Sequence, residues 1–141
     1  MFASFRTLLR TYNDYVTECV SDYALSPNEV AVLDGLQTVS TASAIARDAD
    51  VSKALVSRSV KSLKDKGLIE TSISAFDKRE QDLRLTDSGR EVAKRIDEAN
   101  ERFYSIATQN TQERALEITQ LMLEMIMQNL NIVRGGDIDD N

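Results

Sequence analysis

Apolar residues recur at steps of three and four along most of this chain, and give way to strict alternation in one short stretch. Phe2, Phe5, Leu8, Leu9, Tyr12, Val16, Cys19 and Val20 share one face and predict a first helix over about 2–23. That stripe is wider than one neighbouring helix requires, which points to a partner chain. Ser26-Pro27-Asn28-Glu29 reads as a helix start, with Ser at the N-cap, Pro at the first helical position and Glu closing a capping box. Val30, Leu33, Leu36 and Val39 give that helix its buried face. Thr41 or Ser40 then caps a short Ala-rich helix over about 41–49, whose Ala46 and Ala49 are small enough for a close helix crossing.

The next segment breaks the scaffold pattern with charge. After the turn Asp50-Val51, a helix opens at Ser52 and stops at Gly67, a residue suited to a left-handed C-terminal stop. Val56, Val60 and Leu63 must face inward, so Ala54, Arg58 and Lys61 face out, flanked by Lys53 and Ser57. Residues 53–66 hold five bases against the single acid Asp65, a local charge of +4 in a chain of net charge −6. Such a stripe in an acidic protein argues for a docked polyanion rather than bulk attraction. Leu68, Ile69, Ile73, Leu83 and Leu85 supply a strand pattern around the charged tip Phe76-Asp77-Lys78-Arg79-Glu80. Helix, turn, basic helix and hairpin together make a winged helix-turn-helix, mainly α with a small β-hairpin. Its basic helix suits a DNA major groove. At the hairpin tip Lys78 and Arg79 suit a minor groove, set against an ordinary solvated turn.

Thr86-Asp87-Ser88-Gly89 caps a long helix carrying Val92, Ile96, Ala99, Phe103 and Ile106 on one side and mixed charges on the other. Thr111 is the expected cap of a last helix reaching about residue 133. Leu116, Leu121-Met122-Leu123, Met125-Ile126-Met127, Leu130, Ile132 and Val133 leave little of its circumference polar. A helix apolar on most sides must be buried on most sides, which a chain of 141 residues cannot do alone. Residues 1–25 and 108–141 are therefore expected to form a dimerisation layer, and 26–107 a DNA-binding lobe with its connecting helix.

Composition trims the alternatives. With one Cys, no His and no Trp, the chain holds neither a disulfide framework nor a Cys/His zinc site, and a metal or other cofactor is not expected. Without His, and with Cys19 on an apolar stripe, the usual nucleophile–base pairs are missing. No Gly-rich phosphate loop follows a strand, so an enzyme is not expected. No signal-like leader and no apolar run near 18 residues occur, which fits a cytoplasmic protein without membrane attachment.

Ser52, Val56, Arg58, Val60, Leu63, Lys66-Gly67-Leu68-Ile69, Asp77-Lys78-Arg79, Leu85-Thr86 and Gly89 together resemble the MarR-type (multiple antibiotic resistance regulator) transcription factors. The spacing from Gly67 through Asp77-x-Arg79 to Leu-Thr-x-x-Gly is the specific part, and the helix layout extends the likeness to nearly the whole chain. Asp50 in place of a turn glycine and Leu55 in place of a smaller or polar residue depart from the pattern. The resemblance implies a homodimeric regulator of transcription on a pseudo-palindromic operator, more often a repressor, released by a small aromatic or anionic effector. Arg58 would read a base edge, Lys53, Ser57 and Lys61 phosphates or edges, and Ala54 a thymine methyl, with the capping Ser52 also among the DNA-binding residues. Asp77 would hold the wing. Arg6, Arg10, Tyr12 and Tyr15 are the candidates to line an effector pocket, against the alternative of packing and solvated surface. Cys19 is either a peroxide-sensing thiol, as some members carry, or a small buried hydrophobe. The opposing reading of the whole chain is a winged-helix protein-interaction module without sequence-specific DNA binding.

Overall fold

The computed structural model describes residues 1–49, 51–75, 78–79 and 81–136, with the side chains of Phe2 and of 131–136 outside that description. Among the described residues the order is α1 (Phe2–Cys19), a 3-10 turn (Ser21–Tyr23), α2 (Pro27–Gly35), α3 (Ala42–Asp48), α4 (Lys53–Asp65), β1 (Ile69–Ile73), β2 (Gln81–Leu85), α5 (Asp87–Ala107) and α6 (Glu113–Gly136). The chain divides into two compact units within α5, Met1–Phe103 and Tyr104–Asn141. No helix among the described residues is long and apolar enough to cross a membrane.

In the first unit the caps do what their residues suggest. Ser26 accepts from the N–H of Glu29 while the Glu29 carboxylate accepts from the N–H of Ser26, closing the capping box ahead of Pro27. Thr41 rather than Ser40 caps α3, and Ser52 caps α4. One core runs through the unit, joining Val16 and Val20 of α1, Val30 and Leu33 of α2, Ile45, Val56, Leu63, the hairpin's Leu68, Ile69 and Leu83, and Val92 and Ile96 of α5. α4 packs against α2, α3 and β1.

Several expectations need correction. α1 ends four residues early, because Val20 leaves helical geometry and the chain tightens into the 3-10 turn before Ala24 takes a left-handed conformation. Ile73 is 75 % exposed, because the core beneath the hairpin ends before the wing's outer part. Ile106 is likewise open, while Val60, Leu36 and Val39 are only partly covered. Before α6, the first i→i+4 bond runs from Leu116 to the Gln112 carbonyl, so the helix starts one residue later than a Thr111 cap implies. Asp50, Phe76, Asp77 and the side chains of Ile132 and Val133 lie outside the described residues. The sequence pattern also missed a third contributor to the sheet edge. The N–H of Leu83 donates to the Ser40 carbonyl at 2.7 Å, and Thr41 bridges to Asp82.

The exit from α4 and the entry to α5 form one joint. Gly67 sits at φ +71°, the left-handed stop that favours glycine. The Thr86 hydroxyl donates to the Gly67 carbonyl at 2.7 Å and accepts from the Gly89 N–H at 3.0 Å; the N–H of Thr86 donates to the Leu68 carbonyl. A Cβ on Gly89 would stand 1.9 Å from the Leu68 carbonyl oxygen. This explains why Lys-Gly-Leu and Leu-Thr-x-x-Gly occur together: each half supplies groups the other half bonds.

Replacing Gly89 by Ala is therefore expected to destabilise the fold by about 1–3 kcal/mol, the cost of forced overpacking. In an unconstrained helix the same change would stabilise by about 1 kcal/mol. A urea unfolding midpoint that rises in Gly89→Ala would refute the close approach.

Candidate nucleic-acid interface

Helical periodicity divides α4 cleanly. Val56, Ser59 and Leu63 are buried, while Lys53, Ala54, Ser57, Arg58 and Lys61 are all exposed, with Ser52 exposed at the cap. These six predicted site residues therefore share one open face. Leu55 is half-buried and lines a shallow groove with Arg58, Ser26 and Asn28, on the side of the α2 N-terminus. Ser57 and Lys61 line the opposite border, a cleft of about 280 Å³ between α4 and the hairpin that also takes in Lys64, Thr71 and Gln81. Lys78 and Arg79 are exposed at the hairpin turn.

The local charge of +4 overstates what this face offers. Lys66 turns inward, donating to the Glu29 carboxylate at 2.9 Å and to the Ala24 carbonyl at 2.8 Å. Lys64 reaches the wing, where its ammonium donates to the Thr71 hydroxyl at 3.0 Å. Lys53, Arg58 and Lys61 make no hydrogen bond or ion pair to a described residue. Three cations with no partner among the described residues, on an exposed helix beside a cationic hairpin tip, are chemically suited to phosphate oxygens and base acceptors.

What holds this face in place is a residue the sequence reading placed only as a cap. Glu29 is 5 % exposed. One carboxylate oxygen accepts from the Ser26 N–H at 2.7 Å; the other accepts from the Ser62 hydroxyl at 2.6 Å and from Lys66 at 2.9 Å. Burial opposes its ionisation, but the donors from Ser26, Ser62 and Lys66 outweigh it and hold the carboxyl below its ordinary value. The group thus ties the start of α2 to the last turn of α4. An i, i+4 pair of donors (Ser62 and Lys66) facing a capping-box Glu was the available signal.

The effector candidates do not converge. Tyr12 lines a cavity between α1, α2 and α5, its hydroxyl donating to Asn100 at 2.9 Å and its ring edge-on to Phe103. Tyr15 packs its ring on Phe103, and Arg6 and Arg10 border a separate shallow groove with Ala3 and Thr7. A helix carries such residues around its circumference, so nearness in sequence did not bring them to one wall. Around Cys19 the structure supplies a cation that α1 does not place within a turn of it: the Arg102 guanidinium of α5 approaches its sulfur at 4.0 Å.

A model of the MarR family matches residues 25–80, which span α2, α3, α4 and the first hairpin strand. None of the curated proteins matches the chain in sequence. Among solved structures, a MarR protein from Peptoclostridium difficile is similar with a TM-score of 0.85 at 21 % identity, over 92 % of this chain and 86 % of that one. The Staphylococcus aureus MepR–DNA complex is similar with a TM-score of 0.81 at 17 % identity, over 92 % and 97 %. A MarR transcriptional regulator from Methanosarcina mazei gives 0.79 at 17 %, over 92 % and 96 %. The fold is that of the MarR winged-helix structures.

The Glu29 tie carries a signed pH dependence. Its folded-state pKa lies below the ordinary 4.5, so its contribution is whole above about pH 4.5 and is lost as pH falls through the folded value. Glu29→Gln is expected to lose about 1–2 kcal/mol near neutral pH. The gap from the parent protein should narrow in acid, as read by urea unfolding at the two pH values. An equal gap at both would mean that the carboxylate's charge contributes nothing.

Proposed function

We infer that this chain is a MarR-family winged-helix regulator that binds double-stranded DNA as a homodimer. The observation that carries the reading is the exposed cationic face of α4, whose Lys53, Arg58 and Lys61 have no partner among the described residues, beside the exposed Lys78 and Arg79 of the wing. α4 enters the major groove, with Arg58 on a base edge, Ser52, Lys53, Ser57 and Lys61 on phosphates or edges, and Ala54 against a thymine methyl. The wing residues lie along the adjacent minor groove. That one similar structure is a DNA complex supports DNA binding by this fold.

The homodimer draws support from apolar surface that a single chain leaves open. Leu8 and Leu9 of α1 are exposed, and so, on α6, are Leu121, Met122, Met125 and Leu130. Exposed apolar surface on each of these helices is of the kind that marks a protein–protein contact. A two-fold dimer would set two recognition helices roughly 34–36 Å apart, matching a pseudo-palindromic operator. The regulator acts as a repressor, released when a small effector binds the helix spacing that does not fit DNA more tightly than the one that does.

Arg58→Ala is expected to cost about 1–3 kcal/mol of operator binding and to relax preference at one base position in each half-site. Electrophoretic shifts on the promoter beside its own gene, against a random duplex of equal length, read this directly. Equal loss on both duplexes would reduce Arg58 to a phosphate contact; no preference for the promoter in the parent protein would overturn the regulator reading.

A further inference from the structure

The cavity beside Tyr12 lies wholly within the first unit and measures about 670 Å³, a volume ordinary for small-molecule sites. Its walls are apolar over much of their area, with Leu9, Val16, Pro27 and Val30 among them. The charged groups on those walls are all carboxylates (Asp34, Asp48 and Asp97), and no Lys or Arg is among the described residues that line it. Asp48 is engaged by its neighbour Arg47 at 3.1 Å, so it adds little. Asp34 and Asp97 are different. The neutral amide of Gln37 stands between them, donating to Asp97 at 3.0 Å and reaching Asp34 at 3.5 Å. One amide cannot cancel two negative charges. Partial burial and the charge of Asp97 push the Asp34 carboxyl above its ordinary value; burial and then Asp34 push the Tyr12 phenol up as well.

We propose that this cavity is a receptor for an apolar organic cation, with Asp34 and Asp97 as its counter-charges and Tyr12 as its aromatic wall. An ammonium or phosphonium centre here would meet two carboxylates that lack a cationic protein partner among the described residues, while its apolar substituents cover Leu9, Val16 and Val30. The Tyr12 ring, held by Phe103 and Asn100, adds a π face. Anionic effectors, one of the two classes the resemblance suggests, would be repelled by the same pair. As an effector the cation would act through the regulator reading above and rests on it for that role, whereas the binding site does not.

Two isosteric probes of opposite charge, tetraphenylphosphonium and tetraphenylborate, separate charge from greasiness. Calorimetric titration of the full chain without DNA is expected to detect the cation and not the anion, with chemical-shift changes at Tyr12 and Gln37. Asp34→Asn with Asp97→Asn should weaken the cation about tenfold or more, as loss of two nearby charges requires. Asp14→Asn, on the exposed side of α1, should leave it unchanged. Equal binding of both probes, shifts confined to other residues, or an unaltered affinity in the double variant overturns the proposal. The shift map needs no variant, so a double variant that fails to fold leaves the test intact. Because DNA is absent, a failure here is distinct from a failure of operator binding.

Discussion

A single buried carboxylate sets the attitude of the helix on which everything else turns. Without its partners, Glu29 would be a costly group to place at 5 % exposure. Ser26 supplies a donor from within the same helix start, whereas Ser62 and Lys66, 33 and 37 residues further on, reach the carboxylate only when α4 lies at one angle to α2. Apolar packing of Val56 and Leu63 brings the helices together but is tolerant of sliding. Directional bonds to one small group are not. The cost of burying the charge is thereby converted into a fixed orientation.

The second joint works at the same end of α4 by different means. Gly67 turns the chain, Thr86 bonds across the turn, and Gly89 lets the Leu68 carbonyl come within reach of the α5 entry. Both joints lie in the last turn of α4 or just beyond it. The N-terminal turns, which carry Lys53, Ala54, Ser57 and Arg58, are left open on their outer side. A rod clamped at one end and open on its outer side at the other suits the proposed groove-reading role, since the clamp removes orientational freedom that binding would otherwise have to remove.

How much of this was readable in advance follows from how local each cause is. Caps at Ser26, Thr41 and Ser52, the stop at Gly67, the hairpin and the exposed face of α4 all depend on residues within a few positions of one another, and periodicity exposes them. The Glu29–Ser62–Lys66 cluster joins positions more than thirty apart, so Lys66 looked like part of the basic stripe when it is a structural partner. Ile73 fitted strand alternation, yet alternation says only which residues share a face and not how far the core extends beneath it. Arg6, Arg10, Tyr12 and Tyr15 looked like one pocket because they share a helix, whereas the actual cavity draws its charge from α2 and α5. Arg102 near Cys19 is the same lesson: a partner 83 residues away is invisible to a reading confined to one turn.

That redistribution of charge also accounts for an acidic protein with a cationic face. The chain's −6 combines +4 over residues 53–66 with −10 over the rest, which includes the carboxylates around the Tyr12 cavity. At physiological salt, charges interact over about 8 Å, so each surface is felt mainly by what touches it. A phosphate beside Arg58 meets local cations, while a ligand beside Asp34 meets local anions. An acidic body also disfavours other approaches of a polyanion, which favours the proposed α4 face among the described surfaces. On the proposed reading, the acidic net charge thus narrows where DNA would sit.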